Sequence, residues 1–324
     1  MRERPNTCTE DTKERRASRA SAWERRGRRR KVHSLIDKVY SRKNLELAWE
    51  KVKKNHGSGG IDEVTIEKFE EKKEYYLELL HQKLRDGAYQ PKPVKRVEIP
   101  KSGGGVRKLG IPCVMDRVVQ QALVQRMEAI FEARFVDCSY GYRKGRAPRD
   151  AMRKVWRELQ AGYLWIVDAD LRQFFDTIDQ EKLIDLIAEE ISDGRVLQLV
   201  RDILRSGVVE GRGWQPTLTG VPQGGVASPL WSNIFLTPFD RAMTEKGFRL
   251  TRWADDWVVV CRTRGEAQRA LAYADRFLRE ELGVELHPDK TRIVHVRQGF
   301  EFLGYKVKQG KGYRLPEKKR QVGS

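Results

Sequence analysis

The stretch TRWADDWVVV, residues 251–260, sets two adjacent carboxylates, Asp255 and Asp256, inside an apolar, β-prone run. Two neighbouring negative charges in such a run call for a partner. The wider segment FRLTRWADDWVVVCRT reads as a hairpin whose turn carries both aspartates. A second acid-bearing strand lies upstream in YLWIVDADL, residues 163–171. Side chains alternate along a strand, so Asp168 and Asp170 project to one face. With Asp170 beside the hairpin tip, three carboxylates share a small volume. Like charges so placed raise one another's pKa unless a cation neutralises them. Oxygen donors without His or Cys suit Mg²⁺ or Mn²⁺. An Asp pair at a hairpin turn is also ordinary turn chemistry, so the second strand gives the pair its chemical weight.

The rest of the composition narrows the field. The 324 residues suffice for a substantial core and more than one subdomain. Sixty-four Lys and Arg against 46 Asp and Glu give a formal charge of +18, which points to a polyanionic partner such as nucleic acid. No apolar run approaches the roughly 18–20 residues of a membrane span, and MRERPNTCTEDTKERR has no apolar core of a secretory signal. Cys8, Cys113, Cys138 and Cys261 are scattered and read as ordinary thiols of a reducing, cytoplasmic setting.

Along the chain, residues 1–31 end in WERRGRRRK and read as a mobile basic arm. Helical spacing begins near Asn44 and resumes as one helix over TIEKFEEKKEYYLELLHQKL, with Thr65 as its N-cap. VKRVEIPKSGGGVRKLGIP reads as a hairpin around Gly103, Gly104 and Gly105. Further helices are expected over 116–132, after Pro148, over 180–191 and 195–205, in SPLWSNIFLTPFDRAM and over 265–281. VVEGRGWQ reads as a strand, with further strands near 292–297 and 300–308. The class is α+β.

The order of motifs resembles one family, the group II intron-type reverse transcriptases and their maturase relatives. The residues that carry the resemblance are GSGGIDEVTIEKF, IPKSGGGVRKLGIPCVMDRVVQQAL, FEARFVDCSYGYRKGRAPRDA, VDADLRQFFDTID, TGVPQGGVASPLWSNIFL, RWADDWVVV, LHPDKT and FEFLGY. They span roughly 44–305 in the family's order. The resemblance implies a right-hand polymerase with fingers and an antiparallel palm sheet flanked by helices. It also implies a nucleotidyltransferase that extends a DNA primer with dNTPs on an RNA template. That RNA would be a structured intron RNA.

By the same resemblance, Asp170, Asp255 and Asp256 are the metal ligands, holding two Mg²⁺ ions or Mn²⁺ in their place. Phe175 would stand near the incoming sugar and exclude a ribose 2′-OH, while Phe174 reads as core. Gln223 and Gly224 of PQGG would position the nucleotide, with Gly225 allowing close backbone approach. Lys101 and Arg107 would hold the triphosphate, and Lys290 of HPDKT would either protonate the leaving pyrophosphate or form a structural ion pair. Leu303, Gly304 and Tyr305 would form the primer grip. Asp176 and Asp179 read as turn or capping residues.

The implied domains are the arm at 1–31, an N-terminal extension with fingers at 32–162, and a palm at 163–308 that includes part of the fingers at about 180–220. A tail follows at 309–324. Two departures stand out: Trp253 replaces the family's usual Tyr, and no segment after 308 reads as the helical thumb that follows the primer grip in the family. Two other functions therefore stay open: a non-catalytic, maturase-like RNA-binding protein, and a reverse transcriptase serving phage defence or CRISPR spacer acquisition.

Overall fold

The computed structural model describes residues 31–100, 106–211 and 213–308. The arm up to residue 30, Lys101 and the 309–324 tail lie outside the described residues. The chain opens with α1 (Ile36–Tyr40) and α2 (Arg42–Lys54), followed by α3 (Ile66–Glu71) and α4 (Lys73–Arg85). Thr65 caps α3 as expected, accepting from the Lys68 amide at 3.3 Å. The single helix expected here is broken at Lys72, and the reason lies in the aromatic core. Phe69 stacks between Trp49, at 4.2 Å, and Tyr76, at 4.8 Å. A straight helix would set residues 69 and 76 about 10.5 Å apart along its axis, too far for that stack.

Two strands follow, β1 (Val94–Pro100) and β2 (Val106–Ile111), paired antiparallel. Next come α5 (Val114–Glu132), α6 (Pro148–Gln160), β3 (Trp165–Asp170), the short α7 (Phe174–Thr177), α8 (Gln180–Ala188) and α9 (Gly194–Leu204). The segment read as one strand is a small hairpin, β4 (Val208–Glu210) and β5 (Gly213–Gln215), with Glu210 facing Gly213. Gly211 supplies a positive φ of 60° there, which turns the chain back. Strand β4 runs parallel to β1, giving a four-stranded sheet in the order β2-β1-β4-β5.

The remainder comprises α10 (Ser228–Glu245), β6 (Arg249–Trp253), β7 (Asp256–Cys261), α11 (Arg264–Phe277) and a π-helical turn over Leu278–Leu282. Strand β8 (Arg292–His295) and the β9 (Phe300–Phe302) and β10 (Tyr305–Val307) hairpin complete it. The expected single strand over 300–308 thus turns at Leu303 and Gly304, both at positive φ, as a tight two-residue hairpin requires. The expected helix over 265–281 is real, but its last turn widens to π geometry.

Strands β6, β7, β3 and β8 form the central sheet, in that order and all antiparallel. Its strands are apolar on both faces because helices cover one side and a second core covers the other. Val167, Ala169, Trp257 and Val259 join the main core with α8, α10 and α11 residues. Ile166, Val258 and Val260 pack with α6 and the β9–β10 hairpin. Each fully buried Val, Phe or Trp of these cores contributes about 1.5–3 kcal/mol. This architecture is the expected α+β class, with an antiparallel palm-like sheet flanked by helices. Among the described residues, no helix is long and apolar enough to cross a membrane.

Candidate active site

Strand β3 runs antiparallel to β7 with Asp170 directly opposite Asp256. Directly opposed residues in such a pair have Cβ atoms about 4.5–5.5 Å apart, and like charges there repel. The hairpin is one residue tighter than expected. Trp253 pairs with Asp256, so the turn consists of Ala254 and Asp255, and Asp256 already belongs to β7. Asp255 stands at the tip and Asp256 beside Asp170, which brings the three predicted aspartates to one end of the sheet.

The electrostatics record the crowding. Burial first, then the charges of Asp170, Asp168 and Asp255, push the Asp256 carboxyl up to about 8. Asp168 faces Arg292 across β8 and takes two hydrogen bonds from its guanidinium, at 2.9 and 3.0 Å. It is therefore an ion-paired strand residue, and burial still raises its pKa. Asp170 receives a hydrogen bond from Lys290 Nζ at 2.5 Å, which raises the lysine's pKa. The lysine side chain is 58% exposed, and exposed pairs of this kind contribute only about 0–1 kcal/mol, so the ammonium is an exchangeable counter-ion.

Among the described residues, no three His, Cys, Asp or Glu side chains close tightly enough to enclose an ion as they stand. The donor set nevertheless fits a hard divalent cation. All donors are oxygen: Asp170 is ion-paired with Lys290 and Asp168 with Arg292, and Asp255 and Asp256 lie beside them. The repulsion that lifts Asp256 is what a bound divalent cation would relieve.

The turn that carries Asp255 is held from beneath. Ala254 adopts a left-handed φ of 56°, a conformation that costs an L-residue about 1–2 kcal/mol. The fully buried Arg252 compensates with all five of its N–H groups. It donates to both Asp240 carboxylate oxygens at 2.7 and 2.6 Å, to Asn233 Oδ1 at 3.1 Å, to Ser139 Oγ at 2.8 Å and to the Ala254 carbonyl at 2.8 Å. Gly141 is needed in the same place, since a Cβ there would lie 2.5 Å from the Ala254 nitrogen. The sequence reading missed Arg252 and Asp240. The signal was faint: Arg252 is one of two arginines in RLTRW, and Asp240 is a lone acid on the apolar side of TPFDRAM.

The residues expected on the nucleotide side assemble through the backbone. The Val221 amide donates to the Phe175 carbonyl at 2.7 Å, and the Gly220 amide to Ile178 at 2.8 Å, docking the PQGG loop on α7. Phe174 is buried in the core, and Phe175 is partly buried against it. The Gly110 amide of β2 donates to the Gln223 carbonyl at 2.7 Å, and a Cβ on Gly224 would lie 2.9 Å from the Gly110 oxygen. Glycine at 224 thus lets the loop touch the β1–β2 sheet. Arg107 sits on β2 opposite Ile99. Leu303 and Gly304 form the β9–β10 turn, with Tyr305 buried behind it. Asp179 caps α8 through the Lys182 amide, as expected. The described cysteines are buried free thiols, and burial lifts Cys113 to about 11 and Cys261 to about 12.

Comparison with known proteins agrees with this geometry. A family model described as reverse transcriptase (RNA-dependent DNA polymerase) matches residues 99–307. The chain is 33% identical over 286 residues to Protein YkfC of Escherichia coli K12, covering 76% of this chain and 75% of that one. It is 28% identical over 348 residues to the group II intron-encoded protein LtrA of Lactococcus lactis, covering 84% of this chain but 57% of LtrA. Among solved structures, the apo telomerase of Candida tropicalis, truncated from its C-terminal domain, superposes with a TM-score of 0.52 at 14% identity. That match covers 67% of this chain and 53% of the telomerase chain, and it bears on the fold. With the matched region running from β1 through the aspartate-bearing strands to β10, the chain belongs to the reverse transcriptase (RNA-dependent DNA polymerase) family.

Proposed function

We propose that the chain is an RNA-directed DNA polymerase of group II intron type, extending a DNA primer with dNTPs on an intron-derived RNA template. The observation that carries this reading is the cross-strand pairing of Asp170 with Asp256, with Asp255 at the adjoining turn. Asp170, Asp255 and Asp256 would hold divalent cations, Mg²⁺ or Mn²⁺, which when bound activate the primer 3′-OH and stabilise the leaving pyrophosphate. The chain's own residues bind and orient. Lys290, placed at Asp170, supplies a proton to the pyrophosphate oxygen. Lys101 and Arg107 offset the charge of the triphosphate. Gln223 and Gly224 seat the nucleotide against β2, and Leu303, Gly304 and Tyr305 support the primer from the β9–β10 turn. Residues 32–162 then serve as N-terminal extension and fingers and 163–308 as palm, in a cytoplasmic protein.

Phe175 provides the test. Its partly buried side chain stands on α7, beside the backbone bond from Val221 next to PQGG, and there it would meet an added 2′-hydroxyl. In single-nucleotide incorporation on an oligo(dT)-primed poly(rA) template with Mg²⁺, the wild type adds dTTP and discriminates against UTP. Phe175→Ala narrows that discrimination by about 10- to 100-fold, the range that one steric contact commands. Wild-type RNA binding without any incorporation contradicts the polymerase reading and favours a non-catalytic RNA-binding role. Unchanged discrimination in an active variant returns Phe175 to the core.

A further inference from the structure

The end of the central sheet away from the aspartates carries a basic and aromatic surface that the polymerase reading does not use. An open groove of about 370 Å³ lies where the end of α10 meets α11. It is lined by Lys246, Phe248, Arg269, Ala272, Tyr273 and Arg276, with no carboxylate among them. Arg269, Tyr273 and Arg276 follow the i, i+4, i+7 spacing that places them on one face of α11. Lys246 Nζ lies 5.7 Å and Arg276 Cζ 5.8 Å from the centroid of the Tyr273 ring, and the Phe248 ring lies 5.9 Å from it at 45°. Two cations therefore share one ring in a groove that offers no acid to separate them.

A second cluster lies on the opposite face of the sheet, where Arg249 is also ion-paired with Glu158 at 3.6 Å. Arg249 follows Phe248, and its guanidinium lies 4.2 Å from the Tyr163 ring, with that of Arg262 at 4.7 Å from the same ring. Arg249 pairs with Val260, whereas Trp253 pairs with Asp256, so this surface lies about 13 Å along β6 from the carboxylates. Cations interleaved with aromatic rings, as in the groove beside Tyr273, are what single-stranded nucleic acid requires. Bases stack on the rings and phosphates meet the cations.

We infer that this groove is a second RNA-binding site, which takes a single-stranded stretch of RNA outside the copied region. Bases stack against Tyr273 and Phe248, and Lys246, Arg269 and Arg276 neutralise the phosphates. RNA fits better than an acidic peptide because flat ring faces alternate with the cations. The inference rests on the family's use of RNA for its choice of strand, but its test needs no synthesis.

The test is fluorescence anisotropy with a labelled 20-nucleotide oligo(U) RNA, titrated at several salt concentrations. Arg269→Glu combined with Arg276→Glu, both exposed on α11, weakens binding by at least tenfold. It also flattens the slope of log K against log salt by about 1.4, at about 0.7 per lost phosphate contact on a single strand. Tyr273→Ala weakens binding about tenfold with little change in slope, as lost stacking demands. Extension of a short hybrid that ends within the catalytic cleft stays within twofold of wild type. Should Tyr273→Ala prove unfolded by its circular-dichroism melt, the charge-reversal pair decides alone. Wild-type affinity and slope in the folded variants overturn the inference. So does an acidic peptide that binds the groove without competing with RNA. A wild type that binds oligo(U) through this groove yet never extends a primer strikes the polymerase reading and leaves the groove standing.

Discussion

Replacing Asp255 by Asn abolishes primer extension, by on the order of 10³-fold or more, equivalent to about 4 kcal/mol of transition-state stabilisation. The substitution keeps the size of the side chain and the turn that carries it, so the loss reports charge. RNA binding persists, because the formal +18 of the chain is spread over surfaces that the change does not touch. Stability changes little. Asp255 belongs to the group of carboxylates that drives Asp256 up to about 8, and removing one charge relieves that repulsion. Asp255 also attracts Arg252 and Lys290, so the two contributions offset and the metal-free variant melts close to wild type. Loss of activity together with retained stability separates a functional aspartate from a structural one. Wild-type extension by the folded variant contradicts the assignment.

The second large effect belongs to Arg252. Changing it to Met leaves Asp240 as a fully buried carboxylate without its cation, and strips Asn233, Ser139 and the Ala254 carbonyl of a donor. Breaking one side of a buried pair costs about 3–5 kcal/mol, a large share of the roughly 5–15 kcal/mol that holds a folded domain. Urea denaturation measures it as a shifted midpoint at constant slope. Arg252→Lys recovers little, because three ammonium donors cannot serve five acceptors set in a guanidinium plane. The double change Arg252→Met with Asp240→Leu recovers part of the loss by removing the orphaned charge. The double variant still fails in extension, because Ala254 has lost the donor that holds its left-handed turn. A loss below about 1 kcal/mol in Arg252→Met contradicts this account of the clamp.

Much of this was legible in the sequence, and the reasons are specific. Apolar runs broken by acids located β3 and β7, because an unpartnered carboxylate in a strand is anomalous wherever it occurs. Their pairing was legible only as an inference, since register is a tertiary property, and the structure sets Asp170 opposite Asp256. The hairpin was placed one residue out because its left-handed position is filled by Ala254, where turn chemistry leads one to expect Gly or Asn. What makes alanine tolerable there is Arg252, which no local rule connects to the turn. Likewise, the break at Lys72 contains neither Gly nor Pro. It comes from the Trp49–Phe69–Tyr76 stack, a contact between distant segments that periodicity does not encode.

The central claim is spatial: Asp170, Asp255 and Asp256 jointly hold divalent cations. Anomalous diffraction from crystals of the chain with primer–template, a non-hydrolysable dNTP and Mn²⁺ reads that claim directly. The account predicts Mn²⁺ peaks between the carboxylates of residue 170 and the 255/256 pair, with the Lys290 ammonium displaced from Asp170. Saturating Mn²⁺ with no peak at this end of the sheet, and Lys290 still on Asp170, would contradict it.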